Sequence, residues 1–407
     1  MEPIKFIHAA DLHLDSPMVG LKDLPDFIFE RLKESTFRSF IKLIDVAISE
    51  KVDFVILAGD LYDASDRSIK AQNILREQML RLHKASIRAF IVHGNHDHLG
   101  GEWIKLTMPE NVFIFGEIPE VTRFQKNDTI IHLYGFSYKE RHVDERMVQL
   151  YQKEEAAGYH IGILHGNLEG LTEHGNYAPF TISDLIEKQF DYWALGHIHK
   201  RAEINTVPPI IYPGNIQGRH KKETGIKGCY LIELQEHICE KRFIETNDVV
   251  WDEVVLDCSS FNSFEVLLSN CIKLLESKRR EGKAIILKLE LQHLSMSEIE
   301  EKAFRSGELI EFLQETERIQ QSFVWVNELK VKKQLVWDEE SLRSQSPFYK
   351  EMLDLANEEI VLKALSPLYR HKQASRWIDE ISQTDQKEIV ADAKQLLLEL
   401  LVEGVNE

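Results

Sequence analysis

The first half of the chain alternates short apolar runs with longer amphipathic segments. Two of the longer segments, residues 24–51 and 68–85, repeat apolar residues at steps of three and four, which is the spacing of a helix that buries one face. The apolar runs have the length of buried strands, and each ends in a polar or glycine-containing turn. Their sequences are IKFIHAA, VDFVILAGD, IRAFIVHGNHD, TIIHLYGF, YHIGILHGN, FDYWALGHIH and PPIIYPGNI. Strands that alternate with helices predict a layered α/β domain.

The pattern changes near residue 248. Fifteen of the 17 histidines and 17 of the 20 glycines precede residue 241, which indicates a loop-rich catalytic part over 1–248 and a plainer remainder. Residues 249–337 show mixed helix and strand patterns and predict a small α+β module, whereas residues 338–407 are acidic and helical. The last helical segment either packs on its own domain or binds a partner through one apolar face, formed by Ile389, Ala393, Leu396, Leu397 and Leu400.

Composition and charge narrow the class of protein. The 407 residues suffice for two or three domains. The N-terminus has no apolar core after a basic start, so no signal peptide is expected, and no apolar run approaches the length of a membrane span. The four cysteines lack zinc-type pair spacing and are few for a disulfide scaffold, which favours a reducing, cytoplasmic setting without membrane association. The net charge of −18 argues against general electrostatic affinity for nucleic acid, although a bound metal pair could supply a local positive site.

Residues that can bind metal follow five of the predicted strands. Residues two apart in an extended segment face the same side, so Asp11 with His13, and His197 with His199, can each hold one ion. We expect seven side chains to converge at one edge of the sheets and to bind two metal ions. These are Asp11, His13, Asp60, Asn95, His165, His197 and His199. Carboxylate, imidazole and amide ligands without a thiolate suit Mn, Fe or Zn, and Asp60, with two oxygens, is the natural bridge between the ions.

The motif GNHD at residues 94–97 adds two candidate catalytic groups. Two divalent ions about 3.5–4 Å apart can activate a bridging water and stabilise an in-line phosphoryl displacement. His96 is then placed to protonate the leaving oxygen, and Asp97 to orient His96 by hydrogen bonding. The seven ligands carry two formal negative charges against four on two divalent ions. The pocket is therefore electropositive, and an acidic protein can hold a phosphate there.

As a set, the motifs DLH, GDLYD, GNHD, LHGN and GHIH resemble those of the calcineurin-like metallophosphoesterase superfamily, over about residues 4–235. The resemblance implies a four-layer α/β fold in which two facing mixed β-sheets are flanked by helices. It also implies a first metal held by Asp11, His13, Asp60 and His199, and a second held by Asp60, Asn95, His165 and His197. His96 matches the catalytic histidine of the superfamily.

Within the superfamily the chain resembles the SbcD-type nuclease subunits of DNA break-repair complexes, and the bacterial YhaO group of DNA repair exonucleases. The opening KFIHAADLHLDSPM and the stretch IIYPGNIQGRHKKETGIKGCYLIEL carry this likeness. It implies Mn²⁺-dependent exonuclease or endonuclease cleavage of DNA, an SMC-like ATPase partner of the SbcC type, and a homodimer formed through catalytic-domain helices. Residues 249–337 then correspond to a DNA-capping domain, and residues 338–407 to helices that contact the ATPase coiled coil. Asp63 in GDLYD replaces the histidine of archaeal and eukaryotic relatives, as it does in bacterial SbcD-type proteins.

Contact with DNA requires cations for the phosphate backbone. Arg219, His220 and Lys221 follow GHIH closely and are the expected nucleic-acid-binding residues. Two alternatives stand beside the DNA nuclease. A phosphatase or phosphodiesterase acting on a protein or small molecule agrees with the net acidity. A non-catalytic adaptor would keep the fold, but the complete ligand set and His96 argue against it.

Overall fold

The computed structural model describes residues 2–16, 24–63, 67–101, 103–104, 106–170, 177–236, 238–294, 304, 306–317, 321–333, 342–344, 346–355, 357–370 and 383–403. The chain divides into two compact units, Met1–Lys332 and Lys333–Glu407.

Two six-stranded sheets form most of the first unit. One contains β1 (Ile4–Ala9), β2 (Phe54–Ala58), β3 (Arg88–Val92), β4 (Val112–Ile114), β11 (Gly228–Gln235) and β12 (Ile238–Glu245), in the order β12-β11-β1-β2-β3-β4. Strands β1 to β4 run parallel, and β11 and β12 continue the sheet antiparallel.

The other sheet contains β5 (Glu120–Lys126), β6 (Thr129–Gly135), β7 (Tyr159–His165), β8 (Tyr192–Gly196), β9 (Ala202–Thr206) and β10 (Pro209–Tyr212), in the order β5-β6-β7-β8-β10-β9. Its four central strands are parallel, and β5 and β9 pair antiparallel at the edges. Both sheets are therefore mixed.

Helices cover the outer faces of the two sheets. Helix α1 (Asp26–Ser49) buries Phe40 and Leu43 against the first sheet, beside α2 (Ile69–Lys84), which begins where the Ser68 side chain accepts a hydrogen bond from the Ala71 backbone. A second core between the sheets joins apolar residues of β1, β2 and β3 to those of β6, β7 and β8. A third core packs the outer face of the second sheet against the 3₁₀ helix Met147–Leu150 and α3 (Ile182–Glu187). The predicted four-layer α/β fold with two facing mixed sheets is confirmed.

A third sheet also belongs to the first unit. It contains β13 (Val249–Asp257), β14 (Ala284–Leu294) and β15 (Phe323–Lys333), and packs with α4 (Phe264–Lys278) and α5 (Glu308–Thr316). It also contacts α1, where Ile28 and Leu32 share a core with Trp251. Arg31 of α1 donates to the Asp248 carboxylate over 3.0 Å and to the Gly282 carbonyl over 2.9 Å. This module corresponds to the α+β segment expected from the sequence.

The second unit contains α6 (Pro347–Leu355), α7 (Glu358–Arg370) and α8 (Gln383–Glu403) around a small core of Leu342, Leu353 and Leu398. On the predicted apolar face, Ile389 and Leu397 are exposed, whereas the side chains of Leu396 and Leu400 lie outside the described residues. The predicted domain boundary at 338 also lies outside them, and the three-part division stays a prediction. Within the part of the chain that the structure describes, no helix has the length and apolar character needed to cross a membrane.

Candidate metal centre

The parallel register brings the polar ends of the strands to one edge. β1, β2 and β3 run in the same direction, so Asp11, Asp60 and Asn95 all leave the first sheet on the same side. In the second sheet, His165 closes β7 opposite Gly196 at the end of β8. Because the two sheets face each other, the loops of both meet, as the strand-end pattern predicted.

One group of ligands gathers around Asp60. The Nε2 atoms of His13 and His199 lie 3.1 Å apart, and Asp60 Oδ2 is 3.7 Å from His13 Nε2. Asp11, His13, Asp60 and His199 each offer one atom within 4.8 Å of the others. These are the four residues that the resemblance implied for the first metal.

The remaining ligands meet at Asn95. Its Oδ1 lies 3.1 Å from His165 Nε2 and 3.2 Å from His197 Nδ1, and His165 Nε2 is also 3.4 Å from Asp60 Oδ2. Asp60 thus contacts a histidine of each group. The structure brings all seven predicted ligands together, with Asp60 between the two groups.

The donor atoms fit a divalent cation. Nitrogen and oxygen ligands bound to one ion at about 2.0–2.2 Å lie roughly 3.0–3.6 Å from each other, which is close to the spacing found here. The turn after β3 leaves room for them to approach. A Cβ on Gly94 would lie 2.3 Å from Asp60 Oδ1 and 2.6 Å from His165 Nε2, so only glycine allows these two side chains to come this close.

Several of these ligands sit on strained backbone. Asp11, His13, Asp60 and His197 have φ values of 52°, 41°, 50° and 102°, in the left-handed region that side-chain-bearing residues rarely adopt. Such positions cost about 1–3 kcal/mol each and cluster at functional sites. The fold offsets this cost through backbone bonds: the Asp11 N–H donates to Gly59 and the His13 N–H to Asp60, each over 3.0 Å.

The pKa values of the two buried aspartates shift in opposite directions. Burial acts to raise the pKa of Asp60, but the charges of His165 and His13 outweigh it and hold that pKa well below its usual range. Burial raises the pKa of Asp11. His165 Nδ1 lies 2.9 Å from the Ala58 carbonyl, which can only accept, so Nδ1 donates there and Nε2 is the ring nitrogen that faces Asp60 and Asn95.

His96 lies beside this group and contacts Asp63. Its Nδ1 is 3.1 Å from Asp63 Oδ1, and Asp63 also accepts from Ser16 and from Arg219. Burial acts to lower the pKa of His96, but the Asp63 carboxylate and the charge of Asp60 raise it overall. Asp63, which the sequence marked only as a departure from other relatives, is therefore the carboxylate beside His96.

The prediction that Asp97 accepts a hydrogen bond from His96 was wrong. Asp97 Oδ2 accepts from His93 Nδ1 over 2.8 Å and from the Leu61 N–H over 2.9 Å, and Oδ1 accepts from the Gly94 N–H over 2.7 Å. Because Asp97 is fully buried under the loop, its carboxylate holds the backbone that carries His96 and does not reach the ring.

The three predicted DNA-binding residues have different environments. Arg219 reaches the site, with Nη1 3.2 Å from Asp63 Oδ2 and 13% of its side chain exposed. His220 is 41% exposed, 3.7 Å from Glu223. Lys221 points instead to Glu328 of the third sheet, 3.0 Å away.

Sequence reasoning missed Glu223. This buried carboxylate lies 2.7 Å from His199 Nδ1 and accepts from the backbone N–H of Arg219, also over 2.7 Å. The one signal in the sequence was an acidic residue inside the basic stretch GRHKKET. Any exposed loop can contain such a residue, so the signal was not specific.

The sequence also matches known proteins. Residues 4–201 match the calcineurin-like phosphoesterase family. The chain is 40% identical to the uncharacterized metallophosphoesterase YhaO of Bacillus subtilis (strain 168) over 398 residues, which cover 97% of both chains. It belongs to the calcineurin-like metallophosphoesterases. This family binds divalent metals, and the protein is accordingly a metal-dependent phosphoesterase with a candidate site for those metals.

Two further relatives match part of the chain at lower identity. The DNA double-strand break repair protein Mre11 of Sulfurisphaera tokodaii is 29% identical over 58% of this chain and 62% of its own length. A subunit of the SbcCD nuclease of Staphylococcus epidermidis is 26% identical over 58% of this chain and 67% of its own length.

Proposed function

We propose that this phosphoesterase is a cytoplasmic, Mn²⁺-dependent nuclease that cleaves phosphodiester bonds in DNA during break repair. The observation that carries the proposal is the convergence of seven nitrogen and oxygen ligands beside a histidine that is not one of them. The names of the Mre11 and SbcCD relatives support DNA as the substrate.

Asp11, His13, Asp60 and His199 would hold one cation, and Asp60, Asn95, His165 and His197 the other. Such a pair supplies Lewis-acid charge that activates water and stabilises the phosphoryl oxygens. The ligand set fits Mn²⁺, and also Fe or Zn, because it contains no thiolate.

His96 protonates the leaving oxygen in this proposal. Asp63 faces Nδ1 of the ring from 3.1 Å, so this carboxylate keeps the imidazolium form and leaves the other ring nitrogen to donate. Asp97 acts on His96 only through the backbone of the loop.

Arg219 is the cation best placed to meet a substrate phosphate. It reaches Asp63 beside His96, and its buried Nε has no hydrogen-bond partner among the described residues. His220 and Lys221 lie at more exposed positions, where they would contact neighbouring backbone phosphates. A local cationic strip of this kind allows a chain with a net charge of −18 to bind DNA.

The second unit would bind an SMC-like ATPase. An apolar groove of about 430 Å³ runs between its helices and is lined by Phe348, Met352, Leu355, Ile360 and Leu397, among others. Phe348 and Leu355 are each 59% exposed, which leaves apolar surface for a partner helix. We also propose a homodimer formed through catalytic-domain helices, as the resemblance to SbcD-type proteins implies.

The test is Mn²⁺-dependent hydrolysis of linear double-stranded DNA and of bis(p-nitrophenyl) phosphate by wild type, His96→Ala and His98→Ala. We expect His96→Ala to keep its metal and to lose about 10²- to 10⁴-fold in DNA cleavage, the range for loss of a general acid. His98→Ala removes a histidine of the same loop that contacts Trp103, and should cleave DNA as wild type does.

Two results would contradict the proposal. Equal activity of wild type and His96→Ala would show that His96 is not the proton donor. Cleavage of the small ester alone, even with the ATPase added, would favour a phosphodiesterase that acts on another substrate.

A further inference from the structure

Glu223 lies directly behind one of the proposed metal ligands. It belongs to the loop between β10 and β11, and its Oε1 is 2.7 Å from His199 Nδ1. An ionised carboxylate can only accept a hydrogen bond, so Nδ1 of His199 carries the proton. The lone pair of the ring is then on Nε2, the atom 3.1 Å from His13 Nε2 in the metal group.

The other oxygen of Glu223 is held by the loop itself. Oε2 accepts from Asn215 Nδ2 over 2.9 Å and from the Arg219 N–H over 2.7 Å. These two donors fix the plane of the carboxylate and determine which oxygen faces His199. Glu223 therefore reaches His199 in one orientation.

Arg219 does not replace Glu223 in this role. Its Nη2 lies 3.3 Å from His199 Nδ1, but a guanidinium has no acceptor and Nδ1 already donates to the nearer Glu223. Arg219 therefore lies near His199 without accepting its proton, and the orientation of the His199 ring depends on the Glu223 carboxylate.

We propose that Glu223 is a positioning residue that fixes the tautomer and ring plane of His199 so that Nε2 binds the first metal. The inference rests on the proposed metal site and extends it to a residue that contacts no metal itself. Carboxylates that accept from the second nitrogen of a ligating histidine raise its basicity as a ligand and hold its direction.

The decisive variant is Glu223→Gln, which keeps the size of the side chain. The Gln amide oxygen must face the donors on Asn215 and Arg219, so its NH₂ group faces His199 Nδ1. Nδ1 would then have to accept, which moves the proton to Nε2 and blocks that nitrogen as a ligand. We expect the affinity for one of the two Mn²⁺ ions to fall about 10- to 100-fold while the other is retained.

The measurement is titration of metal-free protein with Mn²⁺, with the free ion followed by electron paramagnetic resonance, together with the Tm of the metal-free protein. The matched control is Glu154→Gln, which removes a carboxylate 2.9 Å from Nδ1 of His132, outside the site. It should bind both ions as wild type does. Glu223→Asp keeps an acceptor on a shorter side chain and should weaken the same ion less than Glu223→Gln, which gives a second reading if the glutamine variant folds poorly.

Wild-type affinity for both ions in Glu223→Gln and Glu223→Asp would overturn the inference. So would equal loss of both ions together with a lower Tm, because that pattern indicates a structural role for the loop. Failure of wild type to bind Mn²⁺ would overturn this inference and the proposed function together. Tight Mn²⁺ binding without DNA cleavage would overturn only the proposed substrate.

Discussion

The carboxylate that faces His96 determines how this residue can act. Asp97 is the nearer residue in the sequence, yet Asp63, 33 positions earlier, is the one whose oxygen lies 3.1 Å from Nδ1. Asp63 also contacts Arg219, so a single carboxylate connects the proposed proton donor to the proposed phosphate-binding cation. This arrangement predicts that the two aspartates have different effects on catalysis.

Asp63→Asn should reduce DNA cleavage about 100-fold, because His96 loses the anion that keeps its proton. The loss should be smaller for bis(p-nitrophenyl) phosphate, whose leaving group needs no protonation. Measured kcat for both substrates tests this. Asp97→Asn is the comparison: it should lower Tm and affect both substrates equally. An equal loss on both substrates in Asp63→Asn would contradict the assignment.

The sequence predicted the seven candidate metal ligands but not Glu223 and Asp63, the carboxylates that contact His199 and His96. The seven ligands could be found because each follows a buried strand, and parallel strands end at one edge. Glu223 and Asp63 act through contacts across loops, at 24 and 33 positions from their histidines. Those contacts depend on loop conformations, including the left-handed residues Asp11 and Asp60, that no periodicity in the sequence reports.

At the scale of the elements, the seven apolar runs correspond to central strands of the two sheets. These strands are buried on both faces, and the pattern of continuous hydrophobic residues therefore predicts them. β5 and β12 were not among the predicted runs. Both lie at sheet edges and alternate between half-buried and exposed residues, so their sequences resemble those of surface loops.

The turn after β3 packs closely against Asp60, which follows β2, and against His165, which ends β7. Gly94→Ala would place a methyl group 2.3 Å from Asp60 Oδ1 and 2.6 Å from His165 Nε2. We expect it to weaken Mn²⁺ binding at least tenfold, since Asp60 and His165 must separate. Gly116→Ala is the control, because its Cβ would meet only the flexible Glu120 side chain, at 3.3 Å. Calorimetric Mn²⁺ titration that gives wild-type affinity for Gly94→Ala would show that the loop adapts.

At the scale of the whole molecule, the apolar groove of the second unit predicts that partner binding and phosphodiester hydrolysis depend on different parts of the chain. Phe348→Glu places a charge in this groove and should weaken binding of the ATPase at least tenfold, while hydrolysis of a small diester stays unchanged. Ile238→Glu, at an exposed apolar position of β12 in the first unit, is the control. The two variants are compared by their affinity for the purified ATPase, measured by surface plasmon resonance. Unchanged binding by Phe348→Glu would place the partner surface elsewhere.

The proposed chemistry depends on two metal ions that share Asp60. Without them the seven ligands would bring only the formal negative charges of Asp11 and Asp60 to the reacting phosphate, and His96 would have no reaction to assist. Asp60 lies 3.7 Å from His13 and 3.4 Å from His165, one histidine of each ligand group. Its replacement should therefore affect both ions together.

The most direct test is the metal content of folded, Mn²⁺-loaded protein after removal of free metal. We predict about two Mn²⁺ per chain in wild type, about one in Asn95→Ala, and none retained in Asp60→Asn, with the fold of each variant checked by circular dichroism. Two ions retained in Asp60→Asn, or none in folded wild type, would contradict a shared two-metal site.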